Sequence, residues 1–117
     1  LRELVMGWMM KAPTEMDFLV AFGVEPVEAV PRDGFWAYVF QGPGDCTVRF
    51  SYNTHEGSVQ TALFTGDERL AVIVSEGAEA IRIVESGQIR VAFSGEAALT
   101  LMITVFPTAT VEWTALR

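Results

Sequence analysis

The 117-residue sequence predicts an α+β fold, in which two short N-terminal helices pack on an antiparallel β-meander of about six to eight strands. Apolar residues recur at three- and four-residue steps before residue 34 and at two-residue steps after it. Turn-forming residues then arrive about every 11 residues. Connections this short permit only antiparallel neighbours, because parallel neighbours need a crossover of about a dozen residues or more. The resulting sheet is curved, and the pattern leaves open whether it closes like a barrel.

A single domain is expected over residues 1–117, because a chain of this length buries one core and not two. It divides into a helical N-terminal segment (1–23), a connecting strap (24–34) and the β-meander (35–117).

Both predicted helices have recognisable ends. The apolar face of the first consists of Leu1, Leu4, Val5, Trp8 and Met9. Pro13 ends it. Thr14 then stands at an N-cap position, and Asp17 three residues later is an acidic partner for a capping box. Gly23 is placed to end the second helix.

The two-residue period predicts eight strands. They cover residues 35–41, 46–52, 58–64, 69–75, 80–85, 88–94, 97–105 and 110–116. The alternation also assigns faces: Val48, Phe50 and Tyr52 point to one side of their strand, and Arg49 points to the other. One side of the sheet is therefore apolar, and we expect the two helices to cover it.

Composition excludes several classes of protein. With 15 acidic residues against 8 basic ones, the net charge is −7, so we expect no nucleic-acid partner. One cysteine, Cys46, excludes an intrachain disulfide, and with a single histidine it predicts no metal or cofactor site. The longest apolar stretch, 97–106, falls below the roughly 20 residues that span a bilayer, so no membrane association is expected. The first ten residues lack a signal-peptide cleavage pattern, and the expected location is cytoplasmic.

His55 is the best candidate for catalysis, because the adjacent Glu56 could assist a general base. A polar hairpin loop explains the same residues, and no G-x-S-x-G motif occurs anywhere in the chain. We therefore expect no enzymatic activity.

The acidic residues lie mostly in the connections between strands. Alternate turns of a meander emerge at opposite ends of the sheet, so one end should collect a set of polar and acidic residues. This set is Asn53, His55, Glu56, Glu76, Glu79 and Glu96. The other end would collect Asp45, Asp67, Glu68 and Glu85. The first set predicts a surface that steers a cationic partner, whereas solubility alone would also place acids in turns.

The stretches 36–40, 49–52, 58–60 and 111–113 prompt a comparison with a known family. The chain resembles bacterial immunity proteins in its small size, acidic charge and overall layout. These proteins bind and block a toxin made by the same or a neighbouring cell. The resemblance implies a non-enzymatic inhibitor that occludes a cognate, basic toxin domain, and it assigns no functional residue. The alternative is a small barrel or curved sheet that binds an apolar ligand, which a cavity lined by Trp36, Phe50 and Trp113 would favour.

Overall fold

The computed structural model describes residues 9–85, 87–94 and 99–115, and most of these residues lie in β-strands. The elements are α1 (Glu15–Phe22), β1 (Glu28–Val30), β2 (Phe35–Gln41), β3 (Cys46–Asn53), β4 (Ser58–Thr65), β5 (Glu68–Ser75), β6 (Ala78–Val84), β7 (Gln88–Phe93), β8 (Leu99–Thr104) and β9 (Thr110–Ala115). They form two antiparallel sheets, of order β1-β2-β3-β4-β5 and β6-β7-β8-β9. In these ranges no helix has the length and apolar character needed to cross a membrane.

The eight predicted strands are present, each within two residues of its predicted bounds where the structure describes them. Their alternation is also as predicted. In β3, Val48, Phe50 and Tyr52 are buried, and in β7 Arg90 is exposed between two buried neighbours. The predicted connecting strap contains a further strand, β1, which pairs antiparallel with β2.

The predicted fold class is wrong, because the chain does not form one α+β meander. The connection Glu76-Gly77 has the length of a hairpin turn, yet β6 does not pair with β5. The N–H of Ala78 instead donates to the carbonyl oxygen of Gly57 (2.9 Å), and the carbonyl oxygen of Gly77 accepts from the N–H of Ser94 (2.8 Å). These bonds direct β6 into a second sheet. Both sheets are open, which answers the question of barrel closure that the sequence left open.

The second sheet, rather than a pair of helices, supplies most of the cover for the first. One buried cluster draws on α1 and on both sheets. Its members include Phe18, Phe22, Tyr38, Phe40, Val48, Phe50, Val59, Ile81, Ile89, Val91, Leu101 and Ile103. Residues 9–85, 87–94 and 99–115 contain one α-helix and not two. The first predicted helix falls on residues 1–8, outside the described residues, and on Met9, which is exposed and not helical.

The second predicted helix is confirmed with both of its ends. The N–H of Asp17 donates to Oγ1 of Thr14 (3.1 Å), and the N–H of Thr14 donates to Oδ2 of Asp17 (2.8 Å), which is the predicted capping box. Gly23 ends α1 with φ 69°, and its N–H donates to the carbonyl oxygen of Leu19.

Aromatic rings hold α1 against the first sheet. The ring of Phe18 stacks on that of Tyr38 with centroids 4.0 Å apart, and Phe22 meets Phe40 edge-on at 5.7 Å. Nε1 of Trp36 donates to Oε2 of Glu15 (2.8 Å), which ties the first turn of α1 to β2. The helix therefore closes one lateral side of the two-sheet core.

Tyr38 carries a polar group into this core without a partner. Its side chain is fully buried, and no described residue stands in hydrogen-bond geometry with its hydroxyl. Burial, with a smaller effect from the charge of Glu15, raises the pKa of Tyr38 to about 12, although the nearby hydroxyl of Tyr52 partly offsets the rise. An unpaired buried hydroxyl is a cost that a phenylalanine would not carry.

We expect Tyr38→Phe to raise the free energy of unfolding at neutral pH by about 1 kcal/mol, because the ring packing is retained and the unpaired hydroxyl is removed. The raised pKa also predicts that the contribution of Tyr38 ionisation to stability is constant below about pH 10, the ordinary tyrosine value, and falls as pH rises toward 12. Tyr38→Phe should lose less stability than the wild type between about pH 10 and pH 12. Urea denaturation at neutral and alkaline pH measures both effects, and a clear loss of stability at neutral pH would contradict the first.

Candidate partner-binding surface

The loop between β3 and β4 is held in shape by its own asparagine. Oδ1 of Asn53 accepts from the backbone N–H groups of His55 (2.9 Å) and Glu56 (3.0 Å), and the N–H of Gly57 donates to the carbonyl oxygen of Asn53. The side chains of His55 and Glu56 are exposed. The side chain of Asn53 is therefore used to shape the loop, and the side chains that face solvent are those of His55 and Glu56.

Gly34 supports the same loop from beneath. The N–H of Thr54 donates to the carbonyl oxygen of Gly34 (2.8 Å), and Gly34 has φ 72°. A Cβ at this position would lie 2.5 Å from Oγ1 of Thr54 and 2.9 Å from Cδ2 of His55. Only glycine allows this approach at this φ. The sequence signal for it, the dipeptide Asp33-Gly34, is an ordinary turn signal and did not single it out.

The connection between β5 and β6 lies beside this loop. The backbone bond from Ala78 to Gly57 joins the two segments, and the bond from Ser94 to Gly77 adds the end of β7. The predicted grouping of acidic residues at one end is thus present: Glu56, Glu76 and Glu79 are all exposed there. We call Asn53, His55, Glu56, Glu76 and Glu79 the acidic end. Glu96, the sixth predicted member, lies outside the described residues.

The N-terminal segment also reaches the acidic end, which the sequence did not predict. The N–H of Met10 donates to the carbonyl oxygen of Thr54 (3.1 Å), and the N–H of Lys11 donates to that of Glu79 (3.1 Å). The N–H of Ile81 donates to the carbonyl oxygen of Lys11, so Lys11 lies along the edge of β6. Its exposed ammonium group is a positive charge within the acidic end.

The opposite end of the molecule carries a similar amount of negative charge. Its four acidic residues are exposed: Asp45, Asp67, Glu68 and Glu85. The N–H of Gly66 donates to the carbonyl oxygen of Asp45, which brings two of its turns together. Charge alone therefore does not distinguish the ends, and neither does loop length, because the connections 54–57 and 42–45 have four residues each.

His55 and the single cysteine, Cys46, lie at opposite ends of β3. His55 is exposed, and Sγ of Cys46 lies half-buried at 3.7 Å from Oγ1 of Thr65. Within the described ranges, no three His, Cys, Asp or Glu side chains are grouped so that they could hold a metal ion.

Two surface cavities lie against the second sheet. One, of about 390 Å³, lies on the outer face of the second sheet, where Arg82 and Arg90 oppose each other. The other, of about 570 Å³, lies between α1 and β6. Neither is lined by Trp36, Phe50 or Trp113. Phe50 is fully buried, so neither cavity supports the alternative of an apolar-ligand site.

The fold is shared with a chain of a bacterial toxin–immunity complex. That structure is the contact-dependent growth inhibition toxin–immunity protein complex from Klebsiella pneumoniae 342. The match has a TM-score of 0.80 at 18% sequence identity, and it covers 93% of this chain and 99% of the other. No family model matches the sequence, and no curated protein does.

At this level of identity the likeness is one of fold. It confirms the resemblance to immunity proteins in general form, with no particular subfamily indicated. Because the match covers almost the whole of both chains, it concerns the complete two-sheet arrangement and not a single hairpin.

Proposed function

We propose that this protein is an immunity-type inhibitor, which binds a cognate toxin domain and blocks it by occlusion. The observation that carries the proposal is the fold that it shares with a chain of a toxin–immunity complex. The net charge of −7 supports the inhibitor as the role in such a pair, because a toxin that acts on nucleic acid needs basic groups to hold phosphates. The proposed partner is therefore a toxin domain with a cationic cleft.

The setting of His55 also supports a binding role over a catalytic one. A general base needs an orienting partner and a nucleophile or substrate proton within about 2.6–3.2 Å. The backbone N–H of His55 donates to Oδ1 of Asn53, which shapes the loop and leaves the imidazole exposed. An exposed imidazole on an ordered loop suits an interface contact.

We assign the toxin contact to the acidic end. Backbone hydrogen bonds join its three segments, so Glu56, Glu76 and Glu79 are presented from a rigid base. Exposed acids in such a cluster attract a cationic surface over roughly a Debye length, about 8 Å at physiological salt. A stable complex would bury about 800 Å² on each partner, more than the acids alone provide, so apolar contacts beside them would set the dissociation rate.

Co-expression tests the proposed function directly. The toxin domain encoded beside this protein's gene is produced alone and together with this protein in the same host. Growth should stop in the first case and continue in the second, and the two proteins should co-purify as a stable complex. Growth arrest in both cases, with no complex, would overturn the proposal.

Neutralising the acidic end should slow association with that toxin domain. The variant replaces four glutamates with glutamine: Glu56, Glu76, Glu79 and Glu96. We expect its association rate to be about 10-fold lower or more at low salt, and the salt dependence of that rate to be weaker. Dissociation should change much less, because the apolar anchors remain. Stopped-flow measurements at several salt concentrations separate the two rates.

The opposite end provides a matched control with the same number of charges. Amide substitutions of Asp45, Asp67, Glu68 and Glu85 change the net charge equally, but at the far end of the strands. Equal slowing by both sets would show that only net charge matters. Slowing by the control set alone would place the toxin at the other end.

A further inference from the structure

Strand β5 leaves an apolar edge of the first sheet uncovered. It is the last strand of that sheet, and seven of its eight residues are exposed. The five consecutive residues Leu70–Val74 are all apolar, and Leu70 and Val74 are each 58% exposed. An edge strand presents unpaired N–H and C=O groups, which bond readily to another strand. A long apolar edge of this kind is unusual for a surface that stays in water.

The other sheet edges are protected in ways that β5 is not. Strand β1 has only three residues and lies between Pro26 and Pro31. The edge of β6 is partly paired with Lys11, and β9 carries Glu112 near its centre. Short strands, prolines and charges all discourage edge pairing. Leu70–Val74 contains no proline and no charge, and its one irregularity is a bulge at Leu70, which has no partner in β4.

The inner side of β5 is also uncovered, because the second sheet is narrower. Nε1 of Trp113 in β9 donates to Oγ1 of Thr61 in β4, so β9 lies over β4 and β5 extends beyond it. Ile73 lies opposite Thr61 in the strand pairing and is 45% exposed, and Leu63 is exposed beside it. Both faces of the strand, as well as its edge, are therefore open.

We propose that β5 pairs antiparallel with β5 of a second copy of this chain, so that two first sheets join into one continuous sheet of ten strands. A two-fold axis perpendicular to the sheet places one residue opposite itself, because opposed side chains must point to the same face. The apolar run Leu70–Val74 is centred on Val72. With Val72 on the axis, the regularly paired residues 71–73 of one copy oppose the same three of the other, and the bulged Leu70 lies near Val74.

A second copy fits this surface better than a cationic partner does. Leu70–Val74 has no charge that a cationic partner could recognise. The same five residues of a second copy, running antiparallel, offer an apolar run of equal length. A strand of eight residues is about 27 Å long, so the contact is smaller than a standard interface of about 800 Å² per partner. We therefore expect a weak, concentration-dependent dimer. The register places Glu76 of one copy opposite Glu68 of the other, so these like charges oppose the contact at low salt.

Sedimentation velocity of the full chain at increasing protein concentration tests the proposal. The average mass should rise from 12.9 kDa toward twice that value. The rise should be steeper at high salt, because each copy carries a charge of −7 and the contact itself is apolar. Val72→Lys places two ammonium groups face to face on the axis and should keep the protein monomeric. Val20→Lys, at a 79% exposed position of α1, is the control and should dimerise as the wild type does.

A disulfide test checks the register. In a Cys46→Ser background, Val72→Cys puts two cysteines opposite each other with Cα atoms about 4.5–5.5 Å apart, within disulfide range. Mild oxidation should give a covalent dimer. Val74→Cys should not, because the two cysteines would then be about 14 Å apart along the strands. Covalent dimers formed equally well by both variants would refute the two-fold pairing.

The outcomes separate this inference from the proposed toxin binding. A wild type that stays monomeric at every concentration and salt overturns the dimer, whatever the toxin assay shows. If Val72→Lys leaves the mass unchanged but abolishes the toxin complex, β5 pairs with the toxin and not with a second copy. If the dimer forms as expected but the protein does not restore growth in the presence of the toxin domain, the dimer is supported and the proposed function is refuted. High salt should strengthen the dimer and weaken steered toxin association, so the two contacts respond oppositely.

Discussion

Replacing Phe18 with alanine is expected to lower the free energy of unfolding by about 4 kcal/mol. Phe18 is fully buried, and its ring stacks on Tyr38 at 4.0 Å and lies 6.1 Å from Phe22. Truncation removes the transfer free energy of a whole ring and leaves a cavity that the rigid strand beneath cannot close. The side chain is also one of the two buried anchors of α1, so its loss weakens the attachment of the helix to the sheet.

Chemical denaturation measures the effect, and the same helix supplies the control. Val20 is 79% exposed on α1, so Val20→Ala should change the free energy of unfolding by no more than about 0.5 kcal/mol. A similar loss in both variants would mean that α1 is not anchored through Phe18. A small loss for Phe18→Ala would mean that the helix contributes little to the core.

The helix α1 and the strands were predictable because their signals are local. Thr14, Asp17 and Gly23 satisfy backbone groups within a few residues of themselves, so the sequence alone carries the information. Alternation does the same for strands, since a buried face needs an apolar residue at every second position. Strand β1 escaped detection because three residues between two prolines show no period.

The division into two sheets was not predictable, because it depends on distant partners. The turn at Glu76-Gly77 resembles the other turns in length and composition. What directs β6 away is the bond from Ala78 to Gly57, some twenty residues earlier in the chain. No local pattern in the sequence records such a bond.

The grouping of acids at one end was nevertheless predicted, because it depends only on strand direction. Strand β6 starts at the end where β5 finishes, whichever sheet it joins, so Glu76 and Glu79 still lie beside the 53–57 loop. Lys11 and Gly34 were missed for the opposite reason. Their positions at the acidic end arise from contacts with Glu79 and Thr54, which are far away in the sequence.

Trp113 connects the two sheets, and Trp113→Ala is expected to lower the free energy of unfolding by about 3 kcal/mol. Its ring lies 5.6 Å from that of Phe93, and its Nε1 donates to Oγ1 of Thr61 at 2.9 Å. The residue is half-buried, so the loss should be smaller than for Phe18. Glu112→Ala, on the opposite and exposed face of β9, should stay within about 0.5 kcal/mol.

The inter-sheet hydrogen bond can be separated from the packing of the ring. Trp113→Phe keeps an apolar ring and removes the donor, while Thr61→Val removes the acceptor at nearly constant volume. A double-mutant cycle over these two changes should give a coupling of about 1 kcal/mol, as for a typical hydrogen bond within a protein. A coupling near zero, with Trp113→Ala still costly, would show that packing alone holds β9 over β4. Equal losses for Trp113→Ala and Glu112→Ala would contradict the register of β9 itself, because a shift of one residue exchanges the two faces of a strand.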